Sequence, residues 1–399
     1  MGFDEEFINQ KVDSIMQMGI DSLAFPGAQV LVAKNDTVVF HKAYGFHTYD
    51  QKQAVELDDI YDLASVTKIT APLPALMKLV DEGKLDLDEP FSTYWEPWQK
   101  RKDKRDLTLR EILAHQAGLI PYIVFLEKVV RKNGKIKKKL VHQTPDDGYS
   151  SQIYDGLFIS DRFEKKMNRG IDKSKVSDEK KYRYSGLSFL IYPSLIEQLT
   201  GTDYQTYLTE NFYKPLGCET LGFLPSLKYY DNSIVPTEMD SIFRKTLTQG
   251  WVHDENAALK GGVSGNAGLF GTADDLAKLM LFYQNFGNVD GKQIISEEVV
   301  KEFTKVQFPE NENRRGLGFD KPLLDNSERT LEEAYPSPLA SAKSFGHSGF
   351  TGTFVWADPE NKLTYIFLSN RVYPTRDNRN LYNLGIREAL QDVFYRAER

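Results

Sequence analysis

Ser65 and Lys68 stand three residues apart in Leu63-Ala64-Ser65-Val66-Thr67-Lys68-Ile69-Thr70-Ala71, at the head of an apolar stretch with helical spacing. One turn of helix puts both side chains on the same face. A serine hydroxyl becomes a nucleophile when a base takes its proton, and a lysine whose pKa is lowered by burial and nearby positive charge can serve as that base. At a helix N-terminus the serine also lies in the positive end of the backbone dipole, which favours alkoxide and anionic intermediates. Four residues with two fixed positions arise by chance about once or twice in a chain of this length. Other chemistry must therefore converge on the pair.

Two further stretches could supply it. In Tyr182-Arg183-Tyr184-Ser185-Gly186 a phenol beside an ammonium can lose its proton, and a phenolate within reach of Ser65 is a competent general base. The competing role is a core or interface tyrosine. In Phe345-Gly346-His347-Ser348-Gly349-Phe350-Thr351-Gly352-Thr353 the glycines mark a strand that another backbone or a ligand approaches closely. A substrate acyl group could lie along that edge, with the Ser65 and Phe350 N–H groups as oxyanion donors. His347 is read as a substrate-binding or polarising group or a proton shuttle, or else as a structural histidine in a turn. Gly262-Val263-Ser264-Gly265-Asn266 and Gly346-His347-Ser348-Gly349-Phe350 approach G-x-S-x-G, but both lack the last glycine and the strand-to-helix context, which excludes a nucleophile elbow.

The elements that must position these groups follow from periodicity. Residues 4–18 read as an amphipathic helix with Ile8, Val12 and Ile15 on one stripe and Gly19 as its stop. Ala28–Ala33 and Val38–His41 form a hairpin through Lys34-Asn35-Asp36-Thr37. The Ser65 helix is expected to run to Gly83 as a buried central helix, kinked by Pro72 and Pro74. Thr108-Leu109-Arg110-Glu111 is a capping box opening a helix that ends near Gly118. Residues 129–139 alternate around Asn133-Gly134 and predict a solvated hairpin. The charged segment 161–181 reads as exposed loop or short helices, and 120–181 as a surface elaboration that could wall a pocket. Helices are expected at 188–200 and 273–286, a hairpin at Phe354–Trp356 and Leu363–Leu368, and a last helix carrying Tyr382, Ile386, Ala389 and Val393. Strands from both ends with a helical middle predict an α+β fold: an antiparallel sheet built from both termini, flanked by helices. The expected division is a sheet domain of residues 1–62 and 260–399 with a mainly helical insert at 63–259.

Composition narrows the function classes. The 399 residues are 41% hydrophobic and 12% aromatic, as in a globular chain, and the formal net charge of −7 argues against a nucleic-acid binder. No apolar run approaches the length of a membrane span. Met1-Gly2-Phe3-Asp4-Glu5-Glu6 lacks the features of a signal peptide, leaving a cytoplasmic chain or one whose leader has been removed. Cys218, the single cysteine, excludes an internal disulfide and reads as a small buried hydrophobe, and six histidines without a close ligand pair predict no metal.

In order and spacing these motifs resemble the serine β-lactamase and penicillin-binding-protein-like hydrolases, on the class C side, a group that includes DD-peptidases, D-aminopeptidases and β-lactamase-fold esterases. Besides Ser65-Val66-Thr67-Lys68, the resemblance rests on Pro26-Gly27-Ala28, Leu113-Ala114-His115-Gln116-Ala117-Gly118-Leu119, His253-Asp254-Glu255-Asn256-Ala257, Gly268–Leu276 and Gly346–Thr353. It implies the β-lactamase/transpeptidase-like fold, no cofactor, Ser65 as the acylated nucleophile, Lys68 as its proton-transfer partner and Tyr184 as base for acylation and deacylation. His347-Ser348-Gly349 maps to the family's K-[TS]-G, and Gly186 stands where an asparagine is common. Both departures remove contacts to an amide-bearing carboxylate, since a neutral imidazole anchors an anion less well than an ammonium. The resemblance therefore favours a carboxylic-ester hydrolase with weak or no β-lactamase activity, acting outside the cytoplasm as relatives usually do. A β-lactamase or a D-amino-acid peptidase or amidase on cell-wall fragments is the nearest alternative, and a non-catalytic peptidoglycan- or partner-binding protein the alternative of another kind. The oligomeric state is not legible.

Overall fold

Alternation of side chains along Gly27–Lys34 divides the molecule into two cores. In the computed structural model, which describes residues 4–229 and 233–397, this stretch is the fourth strand of a five-stranded antiparallel sheet. The Met1–Phe3 part of the leader reading lies outside those residues. The strands are β1 (Gly27–Lys34), β2 (Thr37–Gly45), β3 (Phe345–Ser348), β4 (Phe354–Asp358) and β5 (Leu363–Ser369), in the spatial order β3-β4-β5-β1-β2. Asn35 and Asp36 both adopt positive φ (48° and 64°) in the β1–β2 turn, the conformation whose twist matches the flanking strands. Val30 lies opposite Phe367 and Leu31 opposite Ile366, so both strands send the same register to the same face.

The helices that frame the site are α1 (Glu5–Asp21), α2 (Thr67–Thr70), α3 (Pro72–Asp81), α4 (Leu109–Leu113), α5 (Tyr192–Thr200), α6 (Ala273–Gln284) and α7 (Ile386–Arg396). On the outer face of the sheet Ile8, Val12 and Met16 of α1 and Leu390 and Phe394 of α7 pack with Val30, Val32 and Phe367. The expected stop at Gly19 is wrong: α1 continues to Asp21. A methyl group there would come within 2.7 Å of the Phe25 ring, so this glycine permits close packing rather than ending a helix. The Asp4 N–H donates to the Ala397 carbonyl at 3.2 Å, which brings the two ends of the described chain side by side.

On the inner face Leu31, Val355, Ile366 and Leu368 join the larger core with Leu276, Leu279 and Met280 of α6 and Leu73, Leu76 and Met77 of α3. The predicted kink is present. Ala71, at φ −124° and ψ −77°, separates α2 from α3, and Pro72 opens α3 where its missing N–H costs nothing. The capping box is also present, with Thr108 accepting from the Glu111 N–H, but α4 ends at Leu113, earlier than expected.

The Asn133-Gly134 turn holds only the bridge Val130 to Ile136, and the ladder of this region forms further on, among Val141–His142, Leu157–Ile159 and Ser151–Tyr154. Within 161–181, Phe163–Asp172 is a ten-residue helix, because Phe163, Met167 and Ile171 recur at helical spacing and are buried. Tyr382 lies in a separate short helix, Asn380–Asn383, cut from α7 by Gly385 at φ 57°.

Candidate active site

The Ser65 turn is held from three directions. Tyr61–Asp62 forms the edge of a small sheet with Leu269–Gly271 and Gly222–Phe223. The Leu63 N–H donates to the Leu269 carbonyl at 3.0 Å, and the Leu269 N–H to Thr67 Oγ1 at 3.1 Å. Asp62 accepts from the Ala64 N–H (2.8 Å) and the His253 N–H (2.7 Å), and its burial pushes the carboxyl pKa up. Ala64 has φ 45°, a left-handed conformation that costs an L-residue energy and is held by these bonds. Ser65 follows in a single 3₁₀ turn, Ala64–Val66, that runs into α2. Lys68, 2% exposed, donates from Nζ to Ser65 Oγ at 3.0 Å and to the Asn266 carbonyl at 2.8 Å.

Tyr184 reaches the same cleft from a loop fastened to His115. The His115 carbonyl accepts from the Arg183 N–H (2.8 Å), its Nδ1 from the Ser185 N–H (3.2 Å), and the Ile120 carbonyl from Ser185 Oγ (2.7 Å). His115 is thus a scaffold for Tyr184, a role its motif did not reveal. Burial, then the charge of Arg315, holds its pKa well below the ordinary histidine value, in keeping with an unprotonated Nδ1. The Tyr184 ring centroid lies 4.6 Å from that of His115 and 6.1 Å from that of His347, with Lys68 Nζ at 5.4 Å and the Arg315 guanidinium carbon at 5.7 Å. Its hydroxyl is buried and makes no hydrogen bond among the described residues. Lys68, not Tyr184, is therefore the group bonded to Ser65.

Strand β3 and its turn close the opposite side. Thr351 Oγ1 donates to the Asp62 carbonyl (2.8 Å) and Thr353 Oγ1 to the Leu63 carbonyl (3.1 Å). Gly349 is required here because a Cβ would stand 2.0 Å from Thr353 Oγ1 and 2.6 Å from the Leu63 carbonyl oxygen. No backbone hydrogen bond of the described residues uses the Ser65 or Phe350 N–H. His347 Nδ1–H donates to the Ser348 carbonyl at 2.7 Å, leaving a buried Nε2 as acceptor. Burial, Arg315 and Lys68 press its pKa down to about 3. It is held neutral at ordinary pH, with Nε2 available as a hydrogen-bond acceptor.

The cleft, about 300 Å³, is lined by Ser65, Tyr184, His347, Ser348, Gly349 and Phe350, all expected from the sequence, and also by Tyr182, Arg315, Asp320 and Tyr382. Sequence reasoning missed Arg315 and Asp320 as site residues, because no spacing connects them to Ser65. Gly186 lies behind Lys68; a Cβ added there would be 4.0 Å from Lys68 Cε and from Asn266 Cβ, so the position has room for a side chain. Asn266 does not replace one, since its amide is engaged by Ser264 and Asp254 and only its carbonyl meets Lys68.

The family model described as Beta-lactamase matches residues 8–388. The chain belongs to the beta-lactamase family. Members of this family are serine hydrolases, and the α+β architecture above is its β-lactamase/transpeptidase-like fold. The chain is 30% identical, over 96% of its length and 88% of the relative's, to a protein of Escherichia coli O157:H7 named "Putative D-alanyl-D-alanine carboxypeptidase". Among solved structures it resembles EstCE1, a hydrolase with promiscuous acyltransferase activity, with a TM-score of 0.67, 19% identity and coverage of 96% of this chain and 98% of that one. A class C β-lactamase from Rhodobacter sphaeroides matches with a TM-score of 0.62, 15% identity and coverage of 94% and 98%. At such identities these two likenesses speak for the fold.

Proposed function

We propose that this beta-lactamase-family hydrolase cleaves carboxylic esters through an acyl-enzyme on Ser65, with feeble turnover of β-lactams. In this reading Tyr184, as phenolate, takes the Ser65 Oγ proton while the Lys68 ammonium, 3.0 Å from Oγ, stabilises the forming alkoxide. Oγ attacks the carbonyl carbon, and the oxyanion takes hydrogen bonds from the Ser65 and Phe350 N–H groups. Collapse expels the alcohol, which receives the proton from Tyr184. A water then attacks the acyl carbon, Tyr184 again takes the proton, and Ser65 recovers it as the acid leaves. His347, Ser348 and Gly349 flank the substrate along β3.

The observation that carries the ester preference is the empty space at Gly186 beside an intact Ser65–Lys68 pair. Acyl transfer keeps its core, while a side-chain contact to a substrate amide is missing. An ester has a better leaving group than an amide and tolerates that loss. A second reading, a carboxypeptidase on D-amino-acid peptides, draws support from the name of the 30% identical relative.

Parallel assays of wild type and Ser65→Ala on p-nitrophenyl butyrate, nitrocefin and a D-alanyl-D-alanine peptide, with intact mass, test these readings. The expectation is ester turnover that falls by about 10³-fold or more in the variant, together with slow nitrocefin hydrolysis. Faster peptide than ester cleavage would transfer the assignment to the carboxypeptidase. No turnover and no mass increment on any substrate would leave a binding protein.

A further inference from the structure

A phenolate base in a half-buried cleft needs positive charge close by. Lys68 supplies one charge, but its Nζ is committed to Ser65 and Asn266. The two imidazoles beside Tyr184, His115 and His347, are held neutral. We propose that Arg315 is the second cation of this site, a positioning residue that keeps Tyr184 in its basic form in place of any charge at position 347. The proposal rests on the reading of Tyr184 as the base.

Arg315 is 2% exposed, lines the cleft and carries its guanidinium carbon 5.7 Å from the Tyr184 ring centroid. It is fixed in place: its N–H donates to Asn313 Oδ1 (3.0 Å), Nη2 to the Gly318 carbonyl (3.1 Å), and Nη1 lies 3.2 Å from Asp320 Oδ1. Its buried Nε has no partner among the described residues. Asp320 does not cancel the charge, because the same carboxylate oxygen takes two hydrogen bonds from Arg314, at 3.1 and 2.9 Å. Around Tyr184 stand Lys68 from α2 and Arg315 over its ring, the neutral His115 after α4 and the neutral His347 on β3, with Asp320 and the phenol of Tyr182 lining the same cleft, while Arg314 lies over the Tyr335 ring. Two cations, Lys68 and Arg315, stand over the Tyr184 ring, and among the residues lining the cleft Asp320 is the one carboxylate.

The test is the pH dependence of kcat/KM on p-nitrophenyl butyrate for wild type, Arg315→Gln, Arg315→Lys and Asp320→Asn, with Tyr184→Phe alongside. Tyrosinate absorbance of wild type minus Tyr184→Phe gives the same titration without substrate. The acidic limb should move up by about one unit or more in Arg315→Gln, return toward wild type in Arg315→Lys, and move down in Asp320→Asn. If Arg315→Gln does not fold, the wild-type-like limb of Arg315→Lys and the downward move in Asp320→Asn still test the charge. A merely structural Arg315 would lower rates at every pH and leave the limb in place. An unmoved limb in an enzyme that Tyr184→Phe inactivates overturns the role of Arg315 alone. Wild-type rate and profile in Tyr184→Phe overturn the base assignment, and this proposal with it.

Discussion

At the scale of single residues, the most consequential position carries no side chain. Gly186 leaves Lys68 Cε and Asn266 Cβ about one van der Waals contact away from where a Cβ would be. Gly186→Asn can therefore be accommodated, and it would add a hydrogen-bonding amide beside Lys68. One such bond in the transition state is worth on the order of 1–1.5 kcal/mol, or about tenfold in rate. The variant should raise nitrocefin turnover relative to p-nitrophenyl butyrate by about that factor, read as the ratio of the two kcat/KM values. An unchanged ratio would show that the glycine does not set the preference. Ser65, Lys68, Tyr184 and His347 could be read from the sequence because each belongs to a short motif. Arg315 could not, since its meaning depends on a neutral histidine 32 positions later and on a carboxylate shared with Arg314.

At the scale of elements, the turn after β3 is a template for the Ser65 turn. Thr351 and Thr353 bond the carbonyls of Asp62 and Leu63, and Gly349 lets the two backbones touch. Gly349→Ala forces a methyl against Thr353 Oγ1 and the Leu63 carbonyl. It should cost about 2–3 kcal/mol in denaturant unfolding and lower kcat more than KM, because the Ser65 turn must shift. A stable, fully active variant would show that this contact is not needed. Hairpins and capped helices were legible where local chemistry decides them, as at Asn35-Asp36 and Thr108. The Asn133-Gly134 turn forms as read but carries a single antiparallel bridge, while the Gly19 stop misled because that glycine serves close approach to Phe25.

At the scale of the molecule, buried histidines tie stability to pH. His347 is held near 3 against an ordinary 6.5, and His115 also lies well below its ordinary value, so the unfolded chain binds protons that the folded chain refuses. Stability should therefore be complete above about pH 6.5 and decline as pH falls toward 3. For Glu238, burial would raise the pKa, but bonds from His253 and Arg376 prevail and hold it at about 2, which extends the decline below the ordinary carboxylate range. Urea midpoints between pH 7.5 and 4 check this, with His347→Gln expected to flatten the slope by roughly one proton. An identical slope in the variant would remove His347 as a source.

The bond between Asp4 and Ala397 has a consequence for how the chain could be rewired. With α1 and α7 packed together on the outer sheet face, a short flexible linker could join the ends. New termini could then open at Asn133-Gly134, an exposed turn held by a single bridge. Such a circular permutant should fold and keep its Ser65-dependent activity. The covalent order of the two halves would then be immaterial to a site whose parts are assembled by contacts across the sheet.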